Sequence, residues 1–128
     1  MGGLLLLAAL VVGGASAADL AHGNFMGSGR ACYGMLTITA RAITWMTPFS
    51  QCRTSPYTIV DRRNGSDSLS VTYQLTRPSA RCRYSVLVLT HKAGADADIG
   101  WNVAGYPSLS SATANQRDDV LGCYLYRE

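Results

Sequence analysis

The stretch Leu69–Thr76 alternates between apolar and polar side chains without a break. Leu69, Val71, Tyr73 and Leu75 fall on one face, because successive side chains of a β-strand point to opposite sides. A strand with one apolar and one polar face belongs to an antiparallel sheet that covers a core on one side and meets water on the other. This stretch therefore predicts a half-buried antiparallel strand.

A second stretch, Arg81–Thr90, contains the longest run of β-branched residues and leucine outside the N-terminus. Strands that are apolar on both faces have neighbours on each side, so we predict a central strand here. Similar short runs recur at Tyr33–Thr39, Ala42–Met46, Tyr57–Arg62, Ile99–Tyr106 and Val120–Tyr126. We therefore predict an all-β fold, an antiparallel meander of about seven or eight strands closed into a small barrel, with a β-sandwich as the alternative.

The segments between these runs are rich in turn-forming residues. Asn64-Gly65 supplies two residues that tolerate positive φ, which predicts a tight hairpin turn. Pro48–Pro56 is predicted to be a loop that contains Cys52. Ala18–Arg30 is predicted to be a loop or a short first strand, and Pro107–Asp119 a short helix or a mobile loop.

The N-terminus has the pattern of a secretory signal peptide. The apolar run Leu4–Val12 is followed by Ala15-Ser16-Ala17, a small-x-small cleavage site. The apolar run is too short for a transmembrane span, which needs about 20 residues. We predict a signal peptide at residues 1–17 and a single barrel domain at residues 18–128, secreted or periplasmic.

The chain has four cysteines, Cys32, Cys52, Cys82 and Cys123. An even number in a small exported domain predicts two disulfides, whereas a zinc site would need close pairs such as Cys-x-x-Cys. We favour Cys52–Cys82 with Cys32–Cys123, because the first pair would then join the same end of neighbouring strands. The pairing Cys32–Cys52 with Cys82–Cys123 remains open.

Catalytic patterns are weak in this sequence. His91 is interpreted as a solvated loop residue rather than a catalytic base, and oxidised cysteines leave no thiol nucleophile. We therefore predict no enzyme, no catalytic residue, no metal site and no cofactor.

The charge is distributed unevenly along the chain. The net charge is +3, with ten arginines and one lysine, and six of the arginines lie between Arg53 and Arg83. This asymmetry indicates either a face that binds an anion or an ordinary solvated surface, and the second is the simpler interpretation. Export argues against nucleic acid as a partner.

The segment Ser28-Gly29-Arg30-Ala31-Cys32-Tyr33 lies in the glycine-rich entry to the predicted barrel. With it, the chain resembles in outline the small exported β-barrel proteins of bacteria, the calycin or lipocalin-like group and the periplasmic inhibitors of c-type lysozyme. The inhibitors carry a Ser-Gly-x-x-Tyr loop, and in the segment here Cys32 holds the tyrosine position and Tyr33 follows it. The resemblance implies a partner-binding loop that contains Ser28, Gly29, Arg30 and Tyr33.

Taken together, these features predict a non-enzymatic binding protein that acts through the barrel mouth or its loops on a protein or a small molecule. The leading example is inhibition of a cell-wall-degrading enzyme such as lysozyme. One alternative is a lipocalin-like binder of a small ligand, in a cavity lined by Trp45, Tyr73 and Trp101. The other alternative is a structural component of the cell envelope.

Overall fold

The computed structural model of the chain describes Gly3 and residues 20–128. The predicted signal peptide therefore lies, apart from Gly3, outside the described residues. The strands are β1 (Gly23–Gly27), β2 (Gly34–Ile38), β3 (Ala42–Thr47), β4 (Ser50–Asn64), β5 (Ser68–Leu75), β6 (Val86–Lys92), β7 (Trp101–Tyr106) and β8 (Leu121–Arg127). A short helix, α1 (Leu109–Thr113), precedes β8. The described part of the chain holds no helix that is both long and apolar enough to cross a membrane.

Each strand pairs antiparallel with the next, and β8 pairs with β1. The closing register places Phe25 opposite Arg127 and Gly27 opposite Leu125. The sheet is thus a closed eight-stranded barrel. This confirms the prediction of an all-β closed meander over that of a β-sandwich. Closure gives every strand a neighbour on each side, which limits edge-to-edge aggregation, although β4 extends past β3 so that residues 57–64 pair with β5 and not with β3.

The core fills the inside of the barrel. It is built from the side chains of every second residue along each strand. In β5, Val71, Tyr73 and Leu75 are buried, as the alternation predicts. The largest fully buried side chains are Trp45, Tyr73, Phe25, Leu36, Ile38, Ile43, Leu87, Leu89, Leu125, Val71, Val86 and Val103.

The prediction of a loop at Pro48–Pro56 is wrong, because β4 begins at Ser50 and runs through Cys52 and Pro56. Pro56 lacks an N–H, so it fits a strand only at an edge or an irregularity. The pairing of β3 with β4 shifts register between Ile43 and Trp45, next to the proline pair Ala42–Pro56. Pro56 also lies one residue beyond the last β4–β5 pair, Tyr57–Leu75, where its carbonyl accepts from the Thr76 N–H at 2.9 Å.

Three further boundaries differ from the sequence predictions. The central strand starts at Val86 rather than Arg81, and it has β5 and β7 as neighbours. Ile99 precedes β7 and is 50% exposed, so it is not part of the core face. The β4–β5 turn is shifted from the predicted position: Asn64 is the last residue of β4, and the Gly65 N–H donates to Ser68 O across Ser66 and Asp67, so Asn64-Gly65 is not the central pair of the turn and neither residue has positive φ.

Two disulfides join Cys32 to Cys123 and Cys52 to Cys82, which confirms the favoured pairing. Both lie at the end of the barrel where β1, β3, β5 and β7 finish. We call this the braced end, and it consists of the loops 28–33, 48–49, 76–85 and 107–120. Two disulfides fit a protein of the extracellular space or the periplasm.

Candidate functional site

The loop 28–33 is the part of the braced end that the resemblance singles out. Ser28, Gly29 and Arg30 are exposed, and Tyr33 is 68% exposed. Gly29 has a φ of +93°, a conformation that L side chains rarely adopt, and its carbonyl accepts a hydrogen bond from the Tyr33 N–H at 3.0 Å. The disulfide of Cys32 ties the loop to β8. The loop is therefore closed on itself and anchored, with Arg30 and Tyr33 directed to solvent.

A second exposed aromatic ring stands on the neighbouring loop. Phe49 follows Pro48 in the tight turn between β3 and β4 and is 61% exposed. The turn is fixed by a hydrogen bond of 2.9 Å from the Thr47 hydroxyl to Ser50 O. Gly34, directly after Tyr33, lies against the backbone of Met46, so the two loops emerge side by side. Sequence reasoning missed Phe49, because a lone phenylalanine is normally assigned to the core.

The braced end is basic. Its loops carry five exposed arginines, and Arg53 at the adjoining start of β4 is the sixth, against two aspartates, Asp118 and Asp119; the five in the loops are Arg30, Arg77, Arg81, Arg83 and Arg117. At the opposite end of the barrel, five basic and five acidic residues balance within the described chain. The one ion pair found among the described residues, Arg63 with Asp61 at 2.9 Å, lies at that opposite end. The braced end thus presents guanidinium groups that are not neutralised by carboxylates of the described residues.

Two of these arginines border a cleft at the braced end. The cleft has a volume of about 440 Å³ and is lined by Gln51, Arg53, Ser79, Ala80 and Arg81. We call it the arginine cleft.

The three aromatic residues predicted to line a ligand cavity lie inside the barrel. Trp45, Tyr73 and Trp101 are each at most 2% exposed. Their rings contact other rings: Trp101 with Phe25 at 4.9 Å, Trp45 with Tyr84 at 5.7 Å and Tyr73 with Tyr57 at 5.0 Å. These side chains fill the interior, and the structure does not bring them together with the loop 28–33.

Tyr73 has an unusual environment within this core. Its hydroxyl is buried and has no hydrogen-bond partner among the described residues. Burial, followed by the nearby Tyr57, raises the pKa of Tyr73 well above its ordinary value. The neighbouring Tyr57 hydroxyl, in contrast, donates to Thr39 O at 2.6 Å.

The opposite end of the barrel is closed by a stack around Trp101. The His91 ring lies 4.3 Å from the Trp101 ring, and the Arg127 guanidinium lies 4.7 Å from it. His91 Nε2 faces the carbonyls of Asp96 and Ile99 at 3.1 and 2.9 Å, so this nitrogen carries the proton and donates. Burial lowers the pKa of Arg127. His91 is therefore a half-buried residue at the end of β6, and the prediction of a solvated loop residue is wrong.

A groove of about 550 Å³ runs along the outer wall of the barrel, between α1 and the strands β4 to β6. Its apolar lining includes Val60, Val88 and Leu109, and the Arg63–Asp61 ion pair stands beside them. Ser108 caps the N-terminus of α1: its hydroxyl accepts from the Ser111 N–H, while the Ser111 hydroxyl accepts from the Ser108 N–H. We call this the outer groove; the sequence alone leaves it undefined, because the helix packs against residues far away in the chain.

No group of three or more potential metal ligands occurs within the described residues. Comparison of the chain with protein-family models, curated proteins and solved structures gave no significant match. The resemblance to lysozyme inhibitors therefore remains an expectation based on the loop 28–33.

Proposed function

We propose that the protein is exported, to the periplasm or the medium, and is a non-enzymatic binding protein whose braced end contacts a partner protein. The observation that carries the proposal is the pair of exposed rings, Tyr33 and Phe49, on adjacent anchored loops beside arginines that form no ion pair with a described carboxylate.

Interface composition supports this choice of surface. Aromatic residues and arginine are enriched at the centres of protein interfaces and carry much of the binding energy. Loops that are already ordered lose less conformational entropy on binding. The disulfide of Cys32 and the hydrogen bond from Tyr33 N to Gly29 O provide such order.

A cell-wall-degrading enzyme such as lysozyme is the leading partner. Glycosidases place two carboxyl groups in a cleft on either side of the bond that they cleave. A guanidinium on a protruding loop pairs well with a carboxylate, and Arg30 is exposed on such a loop. In this proposal, the loop 28–33 enters the cleft and Arg30 meets a carboxylate.

The test is a titration of lysozyme activity with the oxidised protein. We expect activity to fall to a stoichiometric end point, and Arg30→Gln or Tyr33→Ser to weaken inhibition by about tenfold or more. The matched controls are Arg41→Gln, in the β2–β3 loop at the other end, and Tyr126→Ser, on the outer wall of β8. Lysozyme activity that stays undiminished at excess protein rejects lysozyme as the partner. If the control substitutions weaken inhibition as much as Arg30→Gln and Tyr33→Ser do, the braced end is rejected as the binding surface.

Small-ligand binding is the second candidate, and the outer groove favours it. Its volume falls within the range of about 300–1,000 Å³ that is typical of small-molecule sites. A screen of small amphipathic compounds by NMR tests this candidate. Shifts clustered at Val60 and Val88 support it, and shifts absent from these residues for every compound exclude it.

Export itself has a simple test. N-terminal sequencing of the protein recovered from the medium or periplasm is expected to begin at Ala18. Recovery of the intact Met1 chain from the cytoplasm contradicts export.

A further inference from the structure

The arginine cleft is built by the β5–β6 loop lying alongside the start of β4. Residues 76–85 run next to Ser50–Arg53, and the Cys52–Cys82 disulfide joins the two segments. Arg53 stands on the strand side and Arg81 on the loop side of the cleft. Both side chains are exposed, and neither takes part in an ion pair within the described structure.

Backbone contacts hold the two sides of the cleft at a fixed separation. The Ser79 hydroxyl donates to Gln51 O at 2.8 Å and accepts from the Arg53 N–H at 3.0 Å. The Gln51 N–H in turn donates to Arg81 O at 3.0 Å. Because these bonds and the disulfide bridge the cleft, the backbones of Arg53 and Arg81 are held in place before any ligand arrives.

We propose that the arginine cleft binds a tetrahedral dianion, the phosphate group of a phosphomonoester or free inorganic phosphate. A guanidinium donates two parallel hydrogen bonds to such a group, and a phosphate monoester carries about −1.5 to −2 charges at neutral pH. Two guanidiniums facing one cleft match this charge, whereas a carboxylate neutralises one of them and leaves the other unpaired. The volume of about 440 Å³ also accommodates the organic part of a small phosphomonoester.

This inference goes beyond the proposed function and does not depend on it. Phosphate would bind between Arg53 and Arg81, whereas the proposed partner surface centres on Arg30, Tyr33 and Phe49. The variant Tyr33→Ser is therefore expected to leave phosphate binding unchanged, and the two proposals fail separately.

The experiment follows the side-chain Nε–H signals of all arginines by NMR in the oxidised protein at constant ionic strength. The probes are inorganic phosphate, glycerol phosphate and acetate. We expect saturable shifts at Arg53 and Arg81 with phosphate and glycerol phosphate, at affinities at least about tenfold above that for acetate. Whichever of the two phosphates binds more tightly identifies the source of the anion.

Variants separate recognition from net charge. Arg53→Gln and Arg81→Gln should each weaken phosphate binding by about tenfold, while the charge-matched control Arg41→Gln should change it by less than about twofold. Arg53→Lys keeps the positive charge but loses the two parallel N–H donors of the guanidinium. Its affinity for phosphate should therefore lie between that of Arg53→Gln and that of the unchanged protein. The proposal is overturned by equal, non-saturating shifts at every exposed arginine, by acetate binding as tightly as phosphate, or by an equal effect of Arg41→Gln.

Discussion

Two tyrosines in edge-to-face contact illustrate how a hydroxyl acts inside this barrel. Tyr57 and Tyr73 have rings 5.0 Å apart at an interplanar angle of 90°. The Tyr57 hydroxyl donates to Thr39 O, while the Tyr73 hydroxyl is buried without a partner in the described structure. A buried polar group without a hydrogen bond costs free energy, so the same atom has opposite effects at the two positions.

Removing each hydroxyl tests this difference. We expect Tyr73→Phe to raise the free energy of unfolding by about 1 kcal/mol and Tyr57→Phe to lower it by about 1 kcal/mol. Urea unfolding of the oxidised proteins measures both changes, with each variant serving as the control for the other. A loss of stability with Tyr73→Phe as large as that with Tyr57→Phe contradicts this account.

The raised pKa of Tyr73 also predicts how stability depends on pH. Below the unfolded pKa of about 10, the phenol is neutral in both states; above it, the unfolded chain ionises first, because the folded pKa is higher. The free energy of unfolding should therefore fall as pH rises above about 10, and part of this fall should be absent in Tyr73→Phe. Urea unfolding of both proteins on either side of that pH measures the difference, and parallel losses in the two proteins rule out the assignment to Tyr73.

The residues of the candidate site were only partly predictable from the sequence. Arg30 and Tyr33 were identified by a motif, and both are exposed at the braced end. Phe49 was missed, although its place directly after Pro48 in a short connection would have marked it as a turn tip. In the sequence, a tryptophan such as Trp45 looks the same whether it lines a pocket or fills a core. The structure distinguishes the two roles, because Trp45 packs against Tyr84 inside the barrel.

At the scale of single elements, alternating sequence patterns predicted the presence of a strand more reliably than they predicted where the strand begins and ends. The alternation of Leu69–Thr76 correctly predicts β5. In β4, Pro56 and the surrounding polar residues resemble a loop, and the strand exists because β3 pairs with its first half, up to Pro56, and β5 with its second half, from Tyr57. Pairing partners lie far away in the chain, so local sequence does not reveal them.

Close approach between elements gives a prediction at this scale. Gly105 of β7 has no room for a side chain, because a Cβ would lie 2.7 Å from both Trp45 Cζ3 and Tyr84 Cγ. Gly105→Ala should therefore lower the free energy of unfolding by about 1–3 kcal/mol through overpacking. The control is Gly122→Ala in β8, where a Cβ meets nothing within 4 Å. Equal effects in thermal or urea unfolding argue against the close packing of β7 on Trp45.

At the scale of the whole molecule, the disulfides hold distant parts of the chain at one end. Cys32–Cys123 spans 91 residues and Cys52–Cys82 spans 30. A longer closed loop restricts the unfolded chain more, and the difference expected from loop-closure entropy is about 1 kcal/mol.

Replacing each cysteine pair by serines tests this contribution. Removing either disulfide should cost about 2–5 kcal/mol of unfolding free energy, and removing Cys32–Cys123 should cost about 1 kcal/mol more than removing Cys52–Cys82. Denaturant unfolding at a fixed temperature gives both values. If removing Cys52–Cys82, which closes the shorter loop, lowers the free energy of unfolding more than removing Cys32–Cys123 does, the entropic explanation is contradicted.

The central claim is that a filled interior leaves the outer surface, and foremost the braced end, to bind partners. The chain has two tryptophans, Trp45 and Trp101, and both are buried inside the barrel. The most direct measurement is the quenching of tryptophan fluorescence by acrylamide and iodide, with and without added lipophilic ligands. The account predicts blue-shifted emission, weak quenching and no response to the ligands. Strong quenching, or an emission shift when a lipophilic ligand is added, would contradict it by placing an accessible binding site inside the barrel.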